Sequence, residues 1–169
     1  SDGATIDTAA PIAGSVTDST STDMDWTRST TTLTAEWSGF SDALSGIQKY
    51  EYTIGTTSGG TDVVTWTDNS TTTSVTKTGL ALTNGTTYYI SVRATDNVGN
   101  ISTVATADGI TVDTDNPVLT TPIEGSLATD MDYQNSGSEL IISWSGSDPA
   151  SGIAFYEYAL GTSSGASDA

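Results

Sequence analysis

Apolar and polar residues alternate along much of this chain. In Leu33-Thr34-Ala35-Glu36-Trp37 every second position is apolar, the period that sends successive side chains to opposite faces of a strand. Tyr50, Tyr52 and Ile54 line one face of the next segment, while Lys49, Glu51 and Thr53 line the other. Further strands are predicted at Val63-Val64-Thr65-Trp66 and around Ser74–Thr78. Tyr88, Ile90, Val92 and Ala94 then alternate with Tyr89, Ser91, Arg93 and Thr95, and a last strand is predicted from about Ser102 to Val112. Turn-forming clusters separate these runs: Ser58-Gly59-Gly60, Asp68-Asn69-Ser70, Thr83-Asn84-Gly85 and Asp96-Asn97-Val98-Gly99-Asn100. No stretch carries helical periodicity. With a first strand ahead of a long loop at about Thr17–Thr31 that carries Trp26, these runs make seven short strands, and their spacing predicts an all-β antiparallel sandwich.

The pattern then repeats. Trp37-Ser38-Gly39-Phe40-Ser41-Asp42-Ala43-Leu44-Ser45-Gly46-Ile47, with Tyr50-Glu51-Tyr52 behind it, returns as Trp144-Ser145-Gly146-Ser147-Asp148-Pro149-Ala150-Ser151-Gly152-Ile153 and Tyr156-Glu157-Tyr158. Asp2-Gly3 with Pro11 returns as Asp108-Gly109 with Pro117. The step is 106 residues from Pro11 to Pro117 and 107 from Trp37 to Trp144, the length of a whole small domain. Residues 1–8 read as the end of the last strand of a preceding copy, 9–114 as one complete copy, and 115–169 as the first half of the next. A half-copy buries little, so the expectation is a window on a longer protein, with a second chain as the other source of the missing half.

Trp37 closing one strand, Tyr52 in the next, and Gly79-Leu80 leading through Gly85-Thr86-Thr87-Tyr88-Tyr89-Ile90-Ser91-Val92-Arg93-Ala94 resemble a fibronectin type III domain. The segment Ala94–Asn100 and the block from Asp42 to Tyr52 are similar to Ig-like repeats of very large secreted bacterial surface proteins. The resemblance implies tandem sandwiches, the second incomplete. It also implies that Tyr88 is a tyrosine corner over Leu80 or Leu82; the inward phase of Trp37, Tyr52 and Tyr88 in the alternation assigns all three to the core.

Charge and composition narrow the function. With 21 Asp and Glu against Arg28, Lys49, Lys77 and Arg93, the net charge is −17, which repels phosphate backbones and excludes nucleic acid as a partner. The same charge disfavours anionic membrane surfaces, and no segment predicts membrane insertion. The chain has neither Cys nor His, so disulfides, thiol chemistry and the commonest general base are absent. Catalysis would need paired carboxylates in a cleft, and these carboxylates fall in turns and linkers, so no enzyme is expected.

Those carboxylates are the candidate chemistry. Sandwich topology gathers Asp7, Asp42 and Asp96 at one pole, and predicts an equivalent set of Asp113, Asp115 and Asp148 at the junction with the second copy. Oxygen-rich clusters of this kind suit Ca2+, which takes six to eight oxygens. Asp and Asn before turns also make local hydrogen bonds to backbone without any metal, and both readings stand at this point. Trp26 and Trp66 are the candidate ligand-contacting aromatics, with a cap over the sandwich end as the other role for Trp26.

The expected function is a non-catalytic structural and adhesive repeat of an extracellular or cell-surface bacterial protein, a semi-rigid spacer in a bead-on-string array. Its partners would be neighbouring repeats of the same chain, with lateral self-association or cell-surface glycans beyond them. The other reading is an accessory or carbohydrate-binding spacer beside a secreted polysaccharide-degrading enzyme.

Overall fold

Leu33, Ala35 and Trp37 all point into one buried cluster in the computed structural model of the chain, as their alternation requires. The structure describes residues 3–124, 133, 137, 139–163 and 167. It divides into two compact units, Ser1–Thr114 and Asp115–Ala169. Among the described residues there is no helix, and so none long and apolar enough to cross a membrane.

Among its described residues the first unit has nine strands: β1 Ser15–Thr17, β2 Trp26–Thr27, β3 Thr32–Ser38, β4 Ile47–Gly55, β5 Val64–Asp68, β6 Ser74–Thr78, β7 Thr87–Asp96, β8 Ala105–Thr106 and β9 Ile110–Val112. One sheet has the order β1-β3-β6, and the other β2-β9-β7-β4-β5 with β8 also on β7. Leu33, Ala35 and Trp37 of the first sheet meet Tyr50, Tyr52, Ile54, Tyr88, Ile90, Val92 and Val112 of the second in a single core, the layering of a β-sandwich. Two edge-to-face ring pairs fix its upper end, Trp37–Tyr50 at 5.8 Å and Phe40–Tyr50 at 5.5 Å, each contributing about 0.5–1.5 kcal/mol beyond burial. The Trp37 indole N–H sits there without an acceptor, a cost set against those contacts.

The departures from the alternation have local causes. Thr53, on the outward phase of β4, is buried because the 57–60 turn folds over it; its hydroxyl lies 2.5 Å from the Val64 carbonyl and 3.1 Å from that of Gly60. The long first loop is not all loop: Trp26 and Thr27 form β2, parallel to β9, through bonds from Thr111 N–H to the Asp25 carbonyl and from Asp113 N–H to the Thr27 carbonyl, both 2.8 Å. The last strand is broken into β8 and β9, and Ala107-Asp108-Gly109 forms the break.

In the second unit, β10 Val118–Leu119 pairs with β13 Gly146–Ser147, and β11 Ile123–Glu124 with β12 Ile142–Ser143. Residues 153–161 repeat the sequence of β4 yet form no strand. Tyr50 and Tyr52 are 9% and 4% exposed in the first unit; their counterparts Tyr156 and Tyr158 are 44% and 70% exposed.

Candidate metal centre

The β3–β4 loop is built by Asp42. Its Oδ1 accepts from the N–H groups of Leu44 (3.1 Å), Ser45 (2.8 Å) and Gly46 (2.8 Å), and Gly46 closes the turn at φ +75°, where a Cβ would be strained. The second unit repeats the device: Asp148 Oδ1 accepts from Ala150, Ser151 and Gly152 at 3.0–3.2 Å, with Gly152 at φ +77°. A short local sequence, Asp-x-x-Ser-Gly, therefore dictates the turn by itself.

Asp96 ends β7 and is wholly buried. Its Oδ1 accepts from Val98 N–H (2.9 Å) and Asn100 N–H (2.8 Å), and its Oδ2 from the Asn100 side-chain amide (2.7 Å). Burial pushes this carboxyl up, but the donors of Asn100 and Val98 outweigh it and hold it below its ordinary value. The Asn97 amide donates to the carbonyls of Ser45 (2.6 Å) and Gly46 (3.2 Å), which pins the β7 turn to the β3–β4 loop.

Asp7 arrives from the N-terminal segment, which docks through reciprocal backbone bonds between Ile12 and Ser41 of 2.7 and 3.1 Å. Its Oδ1 accepts from Ala9 N–H (2.9 Å) and its Oδ2 from Ser45 N–H (3.1 Å). Hydrogen bonding from Ser45 and then Ala9 holds this carboxyl below its usual range, against a smaller upward push from Asp96.

One carboxylate oxygen from each of Asp7, Asp42 and Asp96 lies within 4.8 Å of the other two. Two oxygens each about 2.4 Å from a shared Ca2+ are at most about 4.8 Å apart, so the spacing admits one ion. The donor set, all carboxylate oxygen, suits Ca2+ rather than zinc. Several of these oxygens also accept N–H bonds, which shape the loops that carry them.

The other predicted set is divided between the units. Asp113 is buried at the end of β9 in the first, and Asp115 and Asp148 belong to the second. Sequence reasoning missed a different group, Asp18, Asp23 and Asp108, whose carboxylate oxygens also lie within 4.8 Å of one another. The recurrence of Asp-Gly at positions 2–3 and 108–109 was the available signal.

Trp66 lies on β5, and the Arg93 guanidinium stacks 4.3 Å from its ring centroid. Arg93 is itself held by Glu51 at 3.0 Å, so one face of this indole is occupied by an internal ion pair. Trp26, on β2, is 36% exposed beside the exposed Met24. A cavity of about 340 Å3 lined by Ser15, Thr17, Glu36, Trp37, Ser38, Thr73 and Ser74 holds a single carboxylate, that of Glu36.

No family model matches this sequence, and a search of curated proteins finds no match to it.

Proposed function

We propose that the chain is a non-catalytic structural and adhesive repeat of an extracellular bacterial surface protein or filament, a semi-rigid spacer in a bead-on-string array of fibronectin type III-like sandwiches. The observation that carries this reading is repetition at the level of built structure: Asp42 and Asp148 organise the same turn from the same sequence, one in each unit. The sheet orders β1-β3-β6 and β9-β7-β4-β5 support the family likeness, as does Thr83 N–H donating to the Tyr88 hydroxyl at 2.9 Å in the manner of a tyrosine corner. The linker is short. Thr114 N–H is tied to the Asn84 side chain at 2.8 Å and β10 begins at Val118, with Pro117 between them. Ca2+ at Asp7, Asp42 and Asp96 would brace the pole at which each copy receives the preceding chain.

Small-angle scattering on a protein carrying residues 9–114 twice tests the spacer. An elongated particle, about twice as long as a single copy and with a narrow spread of lengths, is the expected result. A broad distribution of end-to-end distances would refute semi-rigidity. Thermal melting with and without chelator tests the ion; an unchanged midpoint ends that part of the reading.

The exposed Trp26, with an aromatic recurring at Tyr133, favours the accessory carbohydrate-binding spacer as a second reading. Glycan-array binding that is lost when Trp26 and Trp66 are both replaced would promote it.

A further inference from the structure

Asp18 follows β1 and has no solvent-accessible surface. Its Oδ2 accepts from Gly109 N–H at 2.9 Å, a contact across 91 residues, while its Oδ1 is buried with no hydrogen-bond partner. A native fold seldom leaves a buried carboxylate oxygen bare, because removing it from water without a replacement is costly. The charges bearing on Asp18 are those of Asp108 and Asp23, both negative. Like charges gathered around a buried carboxylate that has one bare oxygen leave the arrangement short of a cation.

The surrounding elements hold this arrangement in place. Asp23 Oδ1 accepts from the N–H of Asp18 at 3.1 Å, which folds the loop back on itself. The parallel pairing of β2 with β9 anchors the far end of that loop beside the β8–β9 break that carries Asp108. The sequence repeats the acidic positions: Glu124 stands seven residues after Pro117 as Asp18 does after Pro11, and Asp23-Met24-Asp25 returns as Asp130-Met131-Asp132.

We infer that Asp18, Asp23 and Asp108 form a second divalent-cation site, distinct from Asp7, Asp42 and Asp96, and that its ion is Ca2+. Asp18 Oδ1 supplies the buried ligand, the exposed Asp23 and Asp108 close over the ion, and water and backbone carbonyls complete the six to eight oxygens. Irregular loops of this kind suit Ca2+ better than Mg2+, which demands a near-ideal octahedron. The inference stands independently of the spacer function.

Two glycine amides allow the test to separate the sites, because Gly109 N–H is bonded to Asp18 and Gly46 N–H to Asp42. Chelator-treated, 15N-labelled chain is titrated with Ca2+ alone while both amides are followed. The Gly109 amide should move saturably, with a Kd on the order of 10⁻⁴–10⁻³ M as in extracellular calcium modules. Asp23→Asn and Asp108→Asn, both at exposed positions, should each weaken that response about ten-fold or more, and Asp18→Asn should abolish it. A Gly109 amide that stays still up to about 10 mM Ca2+ overturns the inference, as does a response equal in the wild type and in both exposed-site variants. Movement of Gly46 with a stationary Gly109 overturns this site and leaves the first intact. A Gly109 amide that responds to pH but not to Ca2+ means that a proton, not a metal, satisfies Asp18, and also overturns it.

Discussion

At the scale of single residues, the carboxylates of the first unit fall into two kinds with opposite consequences for pH. Burial, and then the charges of Asp108 and Asp23, push the Asp18 carboxyl up to about 6 against the opposing pull of the Gly109 N–H. A carboxyl raised in the folded state contributes stability that is fully present below its unfolded value near 3.8 and is lost as pH rises through about 6. Asp7, Asp62, Asp68 and Asp96 are lowered, chiefly by hydrogen bonds to Ser45, to Thr56, to Ser70 and to Asn100 respectively; their contribution is present above the ordinary value and lost as pH falls below it. Chelated protein should therefore lose stability between pH 4 and pH 6, and Asp18→Asn should flatten that limb. With solvent screening discounted, Asp18→Asn should gain about 1–2 kcal/mol at neutral pH, read from urea midpoints across the pH range. Tyr88 makes a second prediction at this scale. Tyr88→Phe keeps the buried ring and removes the acceptor for Thr83 N–H, so it should cost about 1–3 kcal/mol in denaturant midpoint with an unchanged m-value.

At the scale of elements, period-two alternation carried most of the legible information. The short strand predicted around Ser74–Thr78 is β6, and Trp37, Tyr52 and Tyr88, read as inward, are buried. Asp7, Asp42 and Asp96 could be brought together on paper because sandwich topology puts the loops holding Asp42 and Asp96 at one pole, beside the entering segment with Asp7. What stayed hidden depends on contacts remote in sequence. Nothing within a window around Trp26 announces that it pairs in parallel with Thr111, and nothing near Asp18 announces Gly109. The break between β8 and β9 was hidden for a related reason: Ala107 and Ile110 both look strand-like, and only the fold makes Gly109 adopt φ +109°. A Cβ there would lie 2.7 Å from Tyr89 Cε1. The Tyr89 ring can swing away, but the backbone conformation remains costly for any other residue. Gly109→Ala should therefore destabilise the unit by about 1–3 kcal/mol. The loss should be local, seen as faster hydrogen exchange at the Ile110 and Thr111 amides, with the β4–β7 ladder still protected.

At the scale of the whole molecule, the contrast between the two units isolates what makes a strand. Residues 47–55 and 153–161 share Tyr-Glu-Tyr and a following Gly-Thr, yet only the first forms a ladder. In the first unit β4 pairs along almost its whole length with β7, from Ile47 opposite Asp96 to Gly55 opposite Tyr89. The second unit has no such ladder among its described residues, and its rings show the consequence. Trp144 meets Tyr156 and Tyr158 at 6.2 and 5.9 Å, close to the Trp37–Tyr50 separation, but Tyr158 faces water where Tyr52 is enclosed. Ring contacts alone therefore do not make a core; a partner strand must close over them. The buried cluster that does qualify lies wholly within residues 33–112, with only partly buried neighbours such as Val16 added to it. A protein of residues 3–114 alone should accordingly unfold in one cooperative transition, with a free energy within about 0.5 kcal/mol of the main transition of the full chain. In the full chain, Trp144→Phe should leave that transition in place and remove a fluorescence component that acrylamide quenches readily. Trp37→Phe should lower the midpoint itself, with a loss of about 1–3 kcal/mol, because its buried ring meets Tyr50 edge to face in the core. If the 3–114 protein lost its cooperative melt, or if Trp144→Phe moved the main midpoint as far as Trp37→Phe does, the first unit could not be an autonomous bead, and the repeat would have to be counted over both units together.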